Sequence, residues 1–230
     1  MMDIILLAIF GVVLWSVASE GMMGACVTFF CVLFAAFLAM NFFEPVAAFL
    51  QANVASTGDW QYRWDIIALL GLFAGLIFAF REATDYLAPV YVPVNAIVHD
   101  IGRWGVAAMT GYLTMAVLAT ALHTAPLPRE FMGFRPERPM LFGVTAPDRQ
   151  WLGFMQYATE FIFVRGQEGR LFDGPRFAPV AGKPQEIWPS FPIRYAMRRE
   201  QFAQGGAVVG PAAATIAAPP QPSGSVSPEF

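Results

Sequence analysis

Residues 24–43, "GACVTFFCVLFAAFLAMNFF", run for 20 positions without a charge. An α-helix needs roughly 20 apolar residues to cross the hydrocarbon of a bilayer. A soluble surface helix needs a polar face toward water, and this run has none. In lipid the backbone N–H and C=O groups must pair within the segment, so a helix is the form such a run takes.

Similar runs recur, and the spacing predicts spans at 4–21, 24–43, 66–81 and 104–122. The composition agrees: 57% of the chain is hydrophobic and 13% charged, with a mean hydropathy of +0.51, against about 25% charge in an ordinary soluble domain. The first run, "IILLAIFGVVLWSVA", follows Met-Met-Asp with no positive residue, and a second apolar run comes at once. It therefore reads as a retained helix rather than a signal peptide. One helix over 4–43 would be about 60 Å long, so "SEGMMG" is expected to turn a tight hairpin. Glu44-Pro45 is expected to end the second span, leaving "VAAFLQANVA" as a short amphipathic segment in the interface. Trp60, Tyr62 and Trp64 beside Arg63 have the make-up of a membrane boundary. Pro89 and Pro93 separate the third span from the fourth.

Small residues recur at helical spacing inside these spans. Gly71, Gly75 and Ala79 lie on one face of the third span, and Ala107, Gly111 and Thr114 on one stripe of the fourth. Lipid tails provide no hydrophobic drive between helices, and close backbone approach at small residues supplies packing instead. Both rows are therefore expected to be helix-packing faces, and they point to a homo-oligomer or to contact with other membrane proteins. Cys26 and Cys31 fall on different faces of the second span and read as small packing residues.

Beyond Pro126 the character changes. Residues 1–125 hold three arginines and eight acids, whereas 126–230 hold eleven Lys/Arg and nine acids. The domain reading is a four-helix membrane domain at 1–123, an extramembrane interaction arm at 124–202, and a low-complexity, disordered tail at 203–230. The expected fold class is an all-α integral membrane protein: four transmembrane helices, then an irregular Pro/Arg/aromatic-rich C-terminal region with one amphipathic helix. That helix is placed at 148–163, with Asp148 as its cap and Trp151, Met155 and Ile162 facing a partner. Arg129, Arg135 and Arg138 follow the last span closely and favour a cytoplasmic C-terminal region.

Signatures of chemistry are missing from the sequence. It contains no GxSxG, HExxH, Walker or dinucleotide-binding pattern, and the dispersed C-terminal arginines make no nucleic-acid groove. His99 and His123 stand at opposite ends of the fourth span. The reading is a non-enzyme without cofactor or metal, whose first partner is the lipid bilayer. Glu20 is the one candidate intramembrane charge, because its hairpin holds it near lipid; Arg81, Glu82 and Arg103 are the residues it could reach.

Asp3 near the start of the first helix, Glu20-Gly21 at the hairpin and "HDIGRWGVAAMTG" (His99–Gly111) leading into the last span together resemble the colicin V production protein (CvpA) family. The resemblance covers about residues 1–123. The family's turn usually carries arginine, followed by a glutamate in the second helix, and this chain has neither. The resemblance implies a small four-helix protein of the inner membrane, associated with envelope maintenance or secretion. Three functions compete: a CvpA-like protein assembling through Gly-rich faces, an accessory structural subunit of a larger membrane complex, and a channel or transporter subunit. Transporters show broken helices or midplane polar groups, and these spans show neither.

Overall fold

In a computed structural model the described residues are 1–54, 60, 62–87, 95–128, 131–133, 141–159, 178–180, 183–188, 191–203 and 216–217. Four long helices carry the apolar runs: α1 (Met2–Ser19), α2 (Gly21–Asn53), α3 (Trp64–Leu87) and α4 (Ala96–Thr124). Each is long and apolar enough to cross a membrane. The chain is an integral membrane protein with an all-helical membrane part. In the C-terminal part, α5 (Pro147–Tyr157) and α6 (Phe191–Ala203) flank the short strands β1 (Ala178–Val180) and β2 (Lys183–Trp188), and β3 (Ile216–Ala217) follows. The strands form an antiparallel sheet in the order β1-β2-β3.

The four long helices make a row. α3 packs on α2, α2 on α4, and α4 on α1, so α3 and α1 are the edges. The main core joins Val32, Ala36, Met40 and Phe43 of α2 to Leu69 and Phe73 of α3 and Val117 of α4. A run of alanines on α2 (Ala35, Ala36, Ala39) is fully buried, which lets the flanking helices come close. α1 meets α4 through two smaller clusters: Met2 and Leu6 with Met115 and Ala119, and Val17 and Ala18 with Ala107.

Two boundaries differ from expectation. α2 does not end at Glu44-Pro45 but continues through Pro45 to Asn53. Proline removes one backbone donor, which a membrane helix tolerates when its neighbours hold it. Here the turn beyond Pro45 has a packed face, with Ala47 buried beside Phe43 and Trp64 in the main core. α5 begins one residue earlier than expected, at Pro147, so its cap is Ala146, which has no side-chain acceptor, and Asp148 lies inside the first turn. Residues 160–163 of the expected helix, Ile162 among them, lie outside the described residues. So does the tail beyond Ala203, apart from β3.

α6 is an element that the scattered Gly, Pro and Arg of 164–200 did not announce. Phe191, Arg194, Tyr195 and Arg198 recur at i, i+3, i+4 and i+7 and are all buried. A search for apolar periodicity passes over this stripe because half of it is arginine.

Candidate functional site

Two polar clusters close the two ends of the helix row. At the end holding the C-terminus of α4, Arg194 of α6 donates to Glu44 Oε1 at 2.7 Å, and Arg198 pairs with Asp65 in the first turn of α3. Both Asp65 and Arg198 are buried. Phe43, Phe191 and Tyr195 pack ring against ring between these pairs. Arg198 also lies over the Tyr195 ring, 5.5 Å from its centroid. Charges taken out of water need partners of opposite sign, and α6 supplies them to Glu44, one residue before Pro45 of α2, and to Asp65 at the start of α3. Burial pushes the Tyr195 phenol well above its ordinary range; Asp65 and Glu44 push the same way, and Arg198 and Arg194 oppose them.

Beside this cluster His123, in the last turn of α4, meets Asp148 in the first turn of α5, with Nε2 2.9 Å from Oδ2. Both side chains are almost fully enclosed. The contact pins the start of α5 to the end of α4. A small cleft lined by Tyr62, Asp65, His123, Thr124, Tyr195 and Arg198 opens between the two groups.

The opposite end is built around the hairpin. Glu20 alone links α1 to α2, and Gly21 turns the chain at φ +82°. That backbone conformation favours glycine, and a β-carbon there would come 3.3 Å from His99 Nε2. The Met22 N–H donates to the same nitrogen at 3.4 Å, so α4 satisfies an amide at the start of α2 that would otherwise lack a partner. Of the residues Glu20 could reach, the structure brings Arg81 to 3.2 Å from its carboxylate. Thr28 completes a triangle, donating to Glu20 Oε2 at 2.7 Å and accepting from Arg81 at 2.8 Å.

The expected packing residues divide. Ala107 and Gly111 are buried, and Gly111 meets Phe10 of α1; Thr114 is half-buried, with its hydroxyl on the Thr110 carbonyl. Gly71, Gly75 and Ala79 do share a face, but that face is exposed, and a β-carbon at Gly71 or Gly75 would meet nothing within 4 Å. α3 is an edge helix that uses Ala68, Leu69 and Phe73 to reach α2, so the small row points away from the chain. Trp151 and Met155 do not face a separate partner. They are buried in the main core with Phe43 and Val117, because α5 folds back on the spans.

No group of three or more potential metal ligands occurs among the described residues. No protein-family model matches the chain, and comparison with curated proteins and with solved structures finds no match. The fold defines the class: a four-span membrane protein whose C-terminal helices close one end of the bundle.

Proposed function

We propose that the chain is a non-enzymatic, CvpA-like protein of the inner (cytoplasmic) membrane, which assembles through the outward face of α3 and so supports envelope maintenance or secretion. The observation that carries this reading is a contrast between outward faces. α1 and α2 present Trp15, Phe30, Phe34 and Phe42 outward, bulky groups suited to lipid. α3 presents Gly71, Ala74, Gly75 and Ala79 in a row, broken by one exposed ring, Phe78, and small residues so spaced let a second helix approach closely. The positions of Asp3, Glu20-Gly21 and His99–Gly111, at the first turn, the hairpin and the first half of the last span, support the family reading.

The test is the mass of the purified protein in mild detergent. Gly75→Leu is expected to keep the fold, since nothing lies within 4 Å of the added carbon, and to lower the assembled mass. An unchanged assembly in both Gly71→Leu and Gly75→Leu would overturn the reading. A wild-type complex containing a different protein on this face would favour the accessory-subunit function.

A further inference from the structure

We infer that the loop at 141–144 is embedded in the lipid layer, where Phe142 and Val144 enter the boundary between headgroups and acyl chains and anchor the C-terminal region to the bilayer. The depth of the loop follows from the register of α1 against α4. Phe10 lies on Gly111, and Met2 and Leu6 share one cluster with Met115 and Ala119. Asp3 therefore stands beside the last turns of α4 and not beyond them. The loop is fastened at that level, since the Leu141 N–H donates to Asp3 Oδ1 at 3.1 Å and the Met2 N–H donates to the Met132 carbonyl at 3.1 Å. Further along, Gln150 accepts from the hydroxyl of Tyr112, a residue nearer the middle of α4. Between them Asp148 lies on His123 in the last turn of α4, so the chain from 141 to 150 stays against the C-terminal half of α4.

At that level Phe142 is 71% exposed and Val144 82%. Leu141 and Phe142 hold φ values of 51° and 58°, in a left-handed region that bulky residues seldom occupy. The turn sends Leu141 in toward the cluster of Met2 and Leu6 and leaves Phe142 outside. A strained backbone that presents an aromatic ring is wasteful in water and reasonable in lipid, where the ring leaves water altogether. The neighbouring surface is already lipid-facing, because Ile4, next to Asp3 on α1, is 66% exposed within a span. The occupant of the loop's outer face is that same bilayer, continued past the end of α1.

The full-length chain carrying Cys26→Ser and Cys31→Ala, with Val144→Cys or Phe142→Cys bearing an environment-sensitive fluorophore, is reconstituted into phosphatidylcholine–phosphatidylglycerol vesicles. A label at Glu200→Cys, exposed on α6, is the aqueous reference. Labels at 142 and 144 are expected to lose about half their emission to nitroxide-bearing lipids and little to aqueous iodide, as befits a group some 5–10 Å into the interface. Iodide quenching equal to that at residue 200, without lipid quenching, would overturn the inference. Shielding from both quenchers would also overturn it and would mean that protein covers the loop. Helical circular dichroism equal to the parent's qualifies each variant, and either position alone suffices for the test.

Discussion

Phe10 of α1 lies so close to Gly111 of α4 that a β-carbon at residue 111 would come within 3.1 Å of both its ring and its carbonyl oxygen. The ring can rotate, but the carbonyl belongs to a helix backbone and moves only with α1. Gly111→Ala is therefore expected to push α1 outward and destabilise the protein by about 1–3 kcal/mol, the usual cost of overpacking. Gly105→Ala, with nothing within 4 Å of the added carbon, is expected to be neutral or slightly stabilising. Thermal unfolding in detergent compares the two. Equal stability of Gly111→Ala and wild type would refute the contact.

The Glu20–Thr28–Arg81 triangle ties the hairpin to α3. Arg81→Gln leaves a half-buried carboxylate with only a hydroxyl donor, and the expected cost is about 1–3 kcal/mol. The double variant Glu20→Gln/Arg81→Gln removes both charges and is expected to be less destabilised than the sum of the single variants. Strict additivity across the double-mutant cycle would show that the two side chains do not interact.

Alkaline pH is expected to release α6. The docked Tyr195 phenol keeps its proton to a higher pH than a detached one would. Stability from docking is thus intact below about pH 10, the ordinary phenol value, and falls as pH rises toward the docked value. Limited proteolysis at α6 against pH should show lost protection in the wild type and a flatter profile in Tyr195→Phe. Tyrosinate absorbance should lose a late-titrating component when Tyr195 is replaced by Phe. Identical profiles for the two proteins would contradict the docked geometry.

The spans were legible because long uncharged apolar runs admit few other forms, and the hairpin at "SEGMMG" because one helix over 4–43 would be about 60 Å long. What stayed hidden depended on distant partners. The spacing of Gly71, Gly75 and Ala79 reveals a shared face but not its direction, and identical arithmetic at Ala107 and Gly111 describes a face turned inward. Pro45 is a local stop signal overridden by packing around Ala47. Asp148 has the local marks of a cap, and it turns instead to His123, 25 residues earlier in the chain. The stripe on α6 is hardest to read, since buried arginines look like solvent-facing ones until Glu44 and Asp65 are known to lie opposite.

Asp3 and the Leu141 amide it holds are 138 residues apart, which gives the molecule an order in time. At about 5–20 residues per second of synthesis, α1 is in existence for on the order of 10 seconds before its clamp emerges from the ribosome. Arg194 reaches Glu44 across a still longer interval of 150 residues. The spans are therefore synthesised before either seal at the α4 C-terminal end can form. A chain halted between residues 125 and 140 has all four helices in the membrane and neither seal, with Glu44 and Asp65 left bare at its mouth.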